Sequence, residues 1–371
     1  MKYILFGAGK KLKTVLSVLS RLNDSTELTE IWDTMAKTHI KPIMFKGKEY
    51  KVLPPHSVID ECVILITSDR YEEEMRNELE RDYLINPAYI RNWRFCLDGI
   101  KQRIIRKYKD IHDSQLELNI KFLQEHDLHT FNNGLMEKYR GEYSCYEVYE
   151  DEVNGLHYSF WKGKKIYFKR GMNKSDVQNY LNNISCEQDY MSPHCYEQKE
   201  INEYYDVVID VGAAEGFFAL EKIENSTIIY LIENDSLWIE ALRCTFEPYG
   251  EKVRIINKSL GNINSEESIT IDKILQASKC NSAMSVLIKM DIEGAELCAL
   301  KGSDKLRDAL NSTLLICVYH NSEDAHDVSS LLLDYHYSVR FSDGYMYFLT
   351  DYGDISEDLR HGLIIAKKMA L

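Results

Sequence analysis

Short apolar runs alternate with amphipathic stretches in the first third of the chain. Strands are predicted at residues 3–6, 31–33 and 63–67, and helical spacing predicts helices at 11–22 and 71–80. The sequence "GAG" at 7–9 predicts a tight turn between the first strand and the first helix. Strands that alternate with helices imply a parallel sheet with helices packed on its faces.

The same alternation returns after residue 205. Strands are predicted there at 206–210, 228–232, 253–256, 286–290, 314–318 and 345–349, with an edge strand at 362–366. Between the two α/β segments, residues 99–150 predict a helical connector whose second helix starts at a capping box, Ser114–Glu117. A hairpin is predicted at 156–168, turning at Lys162-Gly163-Lys164.

This pattern predicts an α/β fold with two Rossmann-like doubly wound domains. The predicted domains are residues 1–98 and 151–371, the latter beginning with the hairpin, and 99–150 connects them. A length of 371 residues fits two cores, and a hydrophobic content of 44% is enough to form them.

The net charge and the cysteines indicate which partners and which cellular compartment to expect. A formal net charge of -14 is unfavourable for a broad nucleic-acid-binding surface, so no nucleic-acid partner is expected. The nine cysteines include no C-x-x-C pair, which is typical of reduced thiols in a cytoplasm. No apolar stretch is long enough to span a membrane, and the start lacks the layout of a signal peptide, so we expect a cytoplasmic protein.

The stretch "VVIDVGAAEGFFAL" joins a predicted buried strand to a helix through small residues. Its spacing, Asp210-x-Gly212-x-x-x-Gly216, differs from the dinucleotide fingerprint G-x-G-x-x-G. It is similar to the loop with which class I methyltransferases bind the amino-acid end of S-adenosylmethionine (SAM), a ligand with an ammonium and a sulfonium group. We therefore predict that Asp210, Gly212, Ala213, Glu215 and Gly216 bind SAM. The acids would face its positive charges, and the glycines would admit it where a Cβ would clash.

Carboxylates also end two later strands. Glu233 follows "IIYLI", 23 residues after Asp210, where an acid can accept hydrogen bonds from ribose hydroxyls, so it completes the predicted SAM site. In "VLIKMDIEGAELCALKG", Asp291, Glu293 and Glu296 lie within six residues. They are candidates to position an acceptor hydroxyl, take its proton or hold a divalent metal, although Glu296 also fits a simple charge at a helix N-terminus.

Two histidines are candidates for the base in such a reaction. His320 ends the strand "LLICVYH", and His194 lies in "CEQDYMSPHCY", just before the SAM strand. An imidazole titrates near neutrality, although a single histidine more often only hydrogen-bonds nearby backbone. The sequence thus predicts Asp291, His320 and His194 as catalytic residues, leaves a metal open, and predicts that the segment around His194 and the preceding hairpin form a lid.

The C-terminal half, from about residue 150 to 371, resembles the FkbM family of SAM-dependent methyltransferases. The resemblance is carried by "EQDYMSPHCY", "VVIDVGAAEGFFAL", "WIEALRCTFEPYGEKVRIINKSLG", "ITIDKIL", "IKMDIEGAELCALKG" and "LLICVYH", in the family's order. It implies a class I methyltransferase fold, SAM as cofactor and O-methylation, with a hydroxyl of a sugar or glycan precursor as the favoured acceptor. The chain departs from the family's loop at Glu215, where Asn is usual.

The N-terminal third resembles a Rossmann-like domain of some glycan-modifying and nucleotide-sugar enzymes, through "YILFGAGKKLKTVL" and "IWD". Its dinucleotide pattern is incomplete, because the third fingerprint glycine falls at Leu12, while Asp33 lies where a ribose-binding acid would. The domain is expected either to be a scaffold, through which a homodimer could form, or to bind a nucleotide. Two alternative functions stay open: a nucleotide-dependent sugar-modifying enzyme that uses this domain, and a non-catalytic SAM-binding protein.

Overall fold

A computed structural model describes the chain except residues 23–26, 37–40, 57–61, 142–144, 202, 282, 309–310, 352–353 and 369–371. The chain divides into two compact units. Unit 1 comprises Met1–His112, Ile120–His129 and Gly353–Glu357, and unit 2 comprises Asp113–Asn119, Thr130–Tyr352 and Asp358–Leu371. The domain boundaries at residues 98 and 150 stay a prediction.

Unit 1 is built on a five-stranded, all-parallel sheet. Its strands are β1 (Lys2–Phe6), β2 (Glu27–Trp32), β3 (Ile43–Phe45), β4 (Lys48–Tyr50), β5 (Val52–Leu53), β6 (Val63–Ile66) and β7 (Ile90–Asn92), and its helices are α1 (Lys10–Arg21), α2 (Glu72–Arg81) and α3 (Asp98–Tyr108). The sheet order is β5-β2-β1-β6-β7, while β3 and β4 form a separate hairpin. All the strands and helices predicted here are confirmed to within a few residues.

Along the chain, short helices and a small antiparallel sheet follow α3. These elements are α4 (Ser114–Glu125), α5 (Leu135–Lys138), β8 (Tyr149–Glu150), β9 (His157–Trp161), β10 (Lys164–Tyr167) and α6 (Lys174–Glu187). The β9–β10 hairpin is confirmed, and its turn residues Lys162 and Gly163 both have the positive φ that a two-residue turn requires. Helix α4 begins at Ser114 as predicted, but its cap is Asp113, whose Oδ1 accepts hydrogen bonds from the N–H groups of Gln115 and Leu116.

Unit 2 contains a seven-stranded sheet. Its strands and the later short strands of the same unit are β11 (Tyr205–Val211), β12 (Ser226–Glu233), β13 (Val253–Asn257), β14 (Ser259–Leu260), β15 (Ser268–Ile269), β16 (Val286–Met290), β17 (Ser312–Cys317), β18 (Ser338–Phe341), β19 (Met346–Tyr347), β20 (Thr350–Asp351), β22 (Leu359–Arg360) and β23 (Leu363–Lys368). The short strand β21 (Asp354–Ile355) belongs to unit 1. The helices are α7 (Phe217–Lys222), α8 (Ser236–Phe246), α9 (Ile271–Ala277), α10 (Glu296–Lys301), α11 (Asp304–Arg307) and α12 (Asp324–Asp334).

The order of the large sheet is β13-β12-β11-β16-β17-β23-β18, and only β23 runs antiparallel to its neighbours. Counted within unit 2, this order is 3-2-1-4-5-7-6, which is that of the class I methyltransferase fold. Both units are therefore Rossmann-like, as predicted. Because the order reverses between β11 and β16, the ligand crevice of such a sheet opens at the carboxyl ends of these two strands.

Two strand predictions in unit 2 are wrong. The run at 362–366 belongs to β23, which lies between β17 and β18 and is not an edge strand; its continuous apolar sequence reflects burial on both faces. Of the strand predicted at 345–349, only Met346–Tyr347 is extended, and it pairs with Leu359–Arg360 outside the large sheet. The edge is β18, whose residues are only half-buried or exposed, so its sequence carries a weak apolar signal.

Candidate active site

The central strands of unit 2 carry one buried ion pair. Asp210 in β11 lies opposite Lys289 in β16, and Nζ of Lys289 is 3.1 Å from Oδ1 of Asp210. The same ammonium donates to the carbonyl oxygen of Gly212 at 2.8 Å. Burial alone would lower the pKa of Lys289, but the carboxylates of Asp210 and Asp291 outweigh it and raise that pKa, so Lys289 stays protonated. Burial raises the pKa of Asp210, and Lys289 opposes this shift. Lys289, which the sequence interpretation missed, thus links Asp210 to the loop, and the predicted role of Asp210 towards SAM stays a prediction.

The two loop glycines are required by the protein's own packing. Gly212 has φ +69°, and a Cβ there would lie 2.0 Å from the carbonyl oxygen of Asp291. Gly216 has φ +85°, and a Cβ there would lie 2.8 Å from Leu242 and 2.7 Å from Phe246 in α8. The missing Cβ atoms admit a neighbouring loop and helix, and the expectation that these glycines also make room for a ligand stays a prediction. Contact of this loop, including buried Ala213, with SAM stays a prediction.

Glu233 ends β12 and ties two loops together. Its Oε2 accepts from the N–H of Ala214 at 2.9 Å, and its Oε1 accepts from the N–H groups of Asn234 and Asp235, each at 2.8 Å. The carboxylate is 8% exposed and lines the cleft. Oε1 uses both of its lone pairs in these bonds, whereas Oε2 keeps one, so Oε2 is the oxygen that can accept a hydrogen bond from a ribose hydroxyl.

Glu215 lies on the opposite side of the loop, where it is 3% exposed. Its Oε2 accepts a hydrogen bond of 2.7 Å from the Tyr180 hydroxyl of α6. Burial raises the pKa of Glu215 to about 7, although the Tyr180 hydrogen bond opposes this shift. The carboxyl group is therefore close to half-protonated at neutral pH.

Four side chains surround the carboxylate of Asp291, which follows β16. The hydroxyl of Tyr196 donates to Oδ2 at 2.8 Å, and that of Tyr319 donates to Oδ1 at 3.1 Å. Nε2 of His194 lies 3.4 Å from Oδ2, and Nε2 of His320 lies 3.4 Å from Oδ1. Burial would raise the pKa of Asp291, but the hydrogen bond and charge of His194 outweigh it and hold that pKa well below its usual range.

The structure thus brings the three predicted catalytic residues together, but the two histidines differ in their surroundings. His194 is 4% exposed, and its Nε2 is also 3.1 Å from the Tyr196 hydroxyl and 3.4 Å from Sγ of Cys317. His320 is 5% exposed, and its Nδ1 is 3.5 Å from Oε1 of Glu296. Burial lowers the pKa of His320, which favours the neutral imidazole, although Asp291 opposes the shift.

The two remaining acids of "MDIEGAE" separate in the structure. Glu296 is the first residue of α10, is 1% exposed, and accepts a 2.8 Å hydrogen bond from the N–H of Ile292, which precedes the helix. Burial raises the pKa of Glu296 to about 8. The side chain of Glu293 is 85% exposed at the rim of the cleft.

Two adjoining cavities of about 590 and 180 Å³ open at this edge of the sheet. They share the lining residues Tyr180, Glu187, His194, Gly212, Ala214 and Asp291. The larger cavity extends past Glu233 and Trp238 to Lys258, and the smaller one reaches Glu215 and Lys289. Within the described part of the chain, His320 lines neither cavity, so only His194 of the two histidines faces open space.

The segment predicted to be a lid is largely packed into unit 2. The carbonyl oxygen of Pro193 accepts a 2.6 Å hydrogen bond from the Ser342 hydroxyl and would be 2.1 Å from a Cβ at Gly362. Tyr190 and Met191, at its tip, are exposed. Residues 193–196 thus form a wall of the cleft, and movement of this segment stays a prediction.

Neither of the hydroxyls on Asp291 was predicted. Tyr196 and Tyr319 lie beside the two predicted histidines in the sequence, but a chain with 25 tyrosines gives no signal that selects them. Lys289 did carry a signal, because it is a lone charge inside an apolar strand. Within the described residues, no helix combines the length and apolar character needed to cross a bilayer.

Residues 251–339 match the family model "Methyltransferase FkbM domain". The resemblance found in the sequence is confirmed for this segment, which contains Asp291 and His320 but lies after the glycine loop. No curated protein matches the chain significantly.

Several solved structures are similar to this chain at low identity. The methyltransferase FkbM from Methylobacillus flagellatus KT is 15% identical, with a TM-score of 0.48, over 98% of this chain and 89% of that chain. Precorrin-6y C5,15-methyltransferase from Geobacter metallireducens GS-15 is 12% identical, with a TM-score of 0.32, over 55% of this chain and 95% of that one. Magnesium protoporphyrin IX methyltransferase from Synechocystis PCC 6803, solved with bound SAM, is 12% identical, with a TM-score of 0.32, over 52% and 84%.

Proposed function

We propose that this chain, which carries an FkbM methyltransferase domain, transfers the methyl group of SAM to a hydroxyl oxygen of a sugar or glycan precursor. The observation that carries the proposal is the meeting, at one sheet edge, of the loop clamped by Glu233 and the Asp291 carboxylate held between two histidines. All nine cysteines are free thiols, which supports a reducing, cytoplasmic site of action.

The residues of the cleft fit SAM as cofactor. Loop residues 212–216 and Glu233 would hold it, since a cleft of about 590 Å³ runs along both and carboxylates outnumber ammonium groups in its lining. When bound, SAM supplies an activated methyl group, so the protein's remaining tasks are alignment of the acceptor and removal of one proton.

The proton is proposed to go to His194. Asp291 is a poor base, because its pKa is depressed, and it instead stabilises positive charge on the imidazole. With Nε2 of His194 facing Asp291 at 3.4 Å, Nδ1 is the nitrogen available to accept the proton. Tyr196 holds the pair in place, since its hydroxyl lies within 3.1 Å of both His194 and Asp291.

His320 is proposed to position Asp291 from its other oxygen. It faces Oδ1 while His194 faces Oδ2, and it is shielded from both cavities. A sugar hydroxyl is a suitable acceptor for such a site, because it is neutral and enters an acidic cleft without the repulsion that a phosphate group would meet.

Calorimetric titration of the full-length chain with SAM, followed by transfer of labelled methyl from SAM to a panel of sugars, nucleotide sugars and glycans, tests this function. We expect micromolar-range SAM binding and labelling of at least one hydroxyl-bearing acceptor, with Asp291→Asn retaining SAM binding but losing transfer. Absence of both binding heat and thermal stabilisation by SAM would exclude the proposed cofactor. SAM binding without transfer to any member of a broad panel would favour the non-catalytic alternative.

A further inference from the structure

Three buried polar atoms, which belong to His320 and Glu296 beside the cleft, lack the hydrogen bonds that buried polar atoms usually make. Within the described residues, neither ring nitrogen of His320 has a hydrogen-bond partner, and neither has Oε2 of Glu296, although His320 is 5% and Glu296 1% exposed. Carboxylate oxygens are close, with Asp291 Oδ1 3.4 Å from Nε2 and Glu296 Oε1 3.5 Å from Nδ1, but the atoms are not aligned for hydrogen bonds. Such groups call for a ligand between them, because an unpaired buried polar atom costs about 1–3 kcal/mol.

We propose that Asp291, Glu296 and His320 bind a divalent transition-metal ion at the edge of the methyl-transfer cleft. One donor atom of each residue lies within 4.8 Å of those of the other two, a spacing that ligands on one ion adopt. One imidazole and two carboxylates suit Mn²⁺, Fe²⁺ or Zn²⁺, whereas Mg²⁺ prefers oxygen ligands alone.

The two oxygens of Asp291 make this site compatible with the proposed base. Oδ2 faces His194 and the Tyr196 hydroxyl, so it supports proton removal. Oδ1 faces His320 and is the oxygen available to the ion, with the Tyr319 hydroxyl beside it. The ion would then lie next to the larger cavity, which Asp291 and Tyr319 line, and would lower the pKa of an acceptor hydroxyl placed there.

A second group of potential ligands fits an ion less well. His194, Asp291 and Cys317 also lie close together, but the Tyr196 hydroxyl already contacts all three, at 3.1, 2.8 and 3.6 Å respectively. These atoms satisfy one another, and the ammonium of Lys289, which interacts electrostatically with both Asp291 and Cys317, opposes a further cation. The unpartnered atoms are on the His320 side.

Two titrations of chelator-treated, full-length protein test this site. In the first, Mn²⁺ is added and electron paramagnetic resonance measures the free ion. In the second, Zn²⁺ binding is measured by calorimetry. Neither measurement requires SAM or turnover, so its outcome is independent of the proposed methyl transfer. We expect one ion per chain. Glu296→Gln and His320→Ala should each weaken binding at least ~10-fold, because each removes a ligand. Glu251→Gln is the control, because its side chain is 85% exposed and lies just before β13, at the opposite edge of the sheet, so the affinity should change less than ~3-fold.

Two results would overturn the proposal. One is the absence of Mn²⁺ and Zn²⁺ binding to the wild-type protein at concentrations up to ~1 mM, a result that depends on no variant. The other is unchanged affinity in Glu296→Gln together with loss of binding in Cys317→Ser, which would move the ion to the His194 side. Thermal denaturation of each variant shows whether lost binding reflects lost folding.

Discussion

In both units an acid bonds to the backbone of the loop that follows the first strand, but the residues around that loop differ. In unit 1, Oδ2 of Asp33 accepts a 2.7 Å hydrogen bond from the N–H of Ala8 in the glycine turn, and Oδ1 accepts from the N–H of Met35. In unit 2, Glu233 binds Ala214 and Asn234 in the same way. In both, an acid after the second strand clamps the loop that follows the first strand.

Because both units share this contact, an acid at the end of the second strand is explained by the fold and is not by itself evidence of a bound ligand. The contrast lies in the neighbouring strand. Leu5 pairs with Leu65 in unit 1, whereas Asp210 pairs with Lys289 in unit 2. At the carboxyl end of β6, the Thr67 hydroxyl donates to the carbonyl oxygen of Gly7 at 2.6 Å. The corresponding position of unit 2, at the end of β16, is occupied by Asp291. The chemistry is therefore expected in unit 2 alone.

The largest expected effect comes from adding a side chain at a tightly packed loop glycine in unit 2, compared with an open loop glycine in unit 1. Gly212→Val should abolish folding of unit 2 or cost more than ~4 kcal/mol, because its Cβ would lie 2.0 Å from the carbonyl oxygen of Asp291. Gly9→Val should cost less than ~1 kcal/mol, since nothing lies within 4 Å of a Cβ at Gly9. Denaturant unfolding measures both. A well-folded Gly212→Val protein that fails only to bind SAM would support the ligand-clearance explanation.

Replacing the residue at the corresponding strand position of each sheet, charged in unit 2 and apolar in unit 1, should give the next largest effect. Lys289→Met leaves Asp210 buried without its cation and should cost about 3–5 kcal/mol. Leu65→Met, in the corresponding strand of unit 1, should cost less than ~1.5 kcal/mol. The double variant Asp210→Asn/Lys289→Met should recover much of the loss in thermal denaturation. Equal destabilisation by Lys289→Met and Leu65→Met would show that the ion pair contributes nothing specific.

Substitutions of the polar residues at the strand ends should lower the methyl-transfer rate when made in unit 2 and leave it unchanged when made in unit 1. Asp291→Asn and His320→Ala should each lower the methyl-transfer rate at least ~10-fold, with SAM affinity little changed. Asp291 supports the proposed base His194 and His320 positions Asp291, and general-base catalysis contributes about 10²–10⁴-fold. His194→Ala should lower the rate and raise the KM of the acceptor. Thr67→Val is the control in unit 1 and should leave the rate unchanged. Near wild-type rates for both Asp291→Asn and His320→Ala would remove the catalytic assignment.

Much of the fold could be predicted from the sequence because buried parallel strands are continuous apolar runs. The runs at 206–210 and 286–290 therefore appear in the structure almost unchanged, as β11 and β16. The position of β23 between β17 and β18 could not be predicted, since the order of strands in a sheet depends on pairing between distant segments. Strand β18 was missed because one of its faces is polar and exposed.

For the candidate site, too, the residues could be predicted from the sequence but their long-range contacts could not. Asp291, His194 and His320 could be predicted because polar residues at the ends of parallel strands converge at one edge. The contacts of the glycines could not, since Gly212 packs against a loop almost 80 residues away in the sequence. The partner of Asp210 depends on strand register, which places Lys289 directly opposite it.

The smallest effect expected here concerns pH, and it also distinguishes the two loops. Glu215 is buried in the loop of unit 2 with a pKa raised to about 7, whereas the turn "GAGKK" of unit 1 has no acid. A raised carboxyl pKa means that the folded state holds its proton more tightly than the unfolded state. The contribution of Glu215 to the free energy of unfolding is therefore fully present below about pH 4.5 and is lost as pH rises towards and through 7.

Glu215→Gln should consequently gain stability relative to wild type by about 1–2 kcal/mol between pH 5 and 8, as measured by urea unfolding at several pH values. Gln keeps an oxygen that can accept the Tyr180 hydrogen bond, so the variant isolates the charge. A stability difference that stays constant over this range would show that Glu215 is ionised throughout and that the loop supplies its own compensating charge.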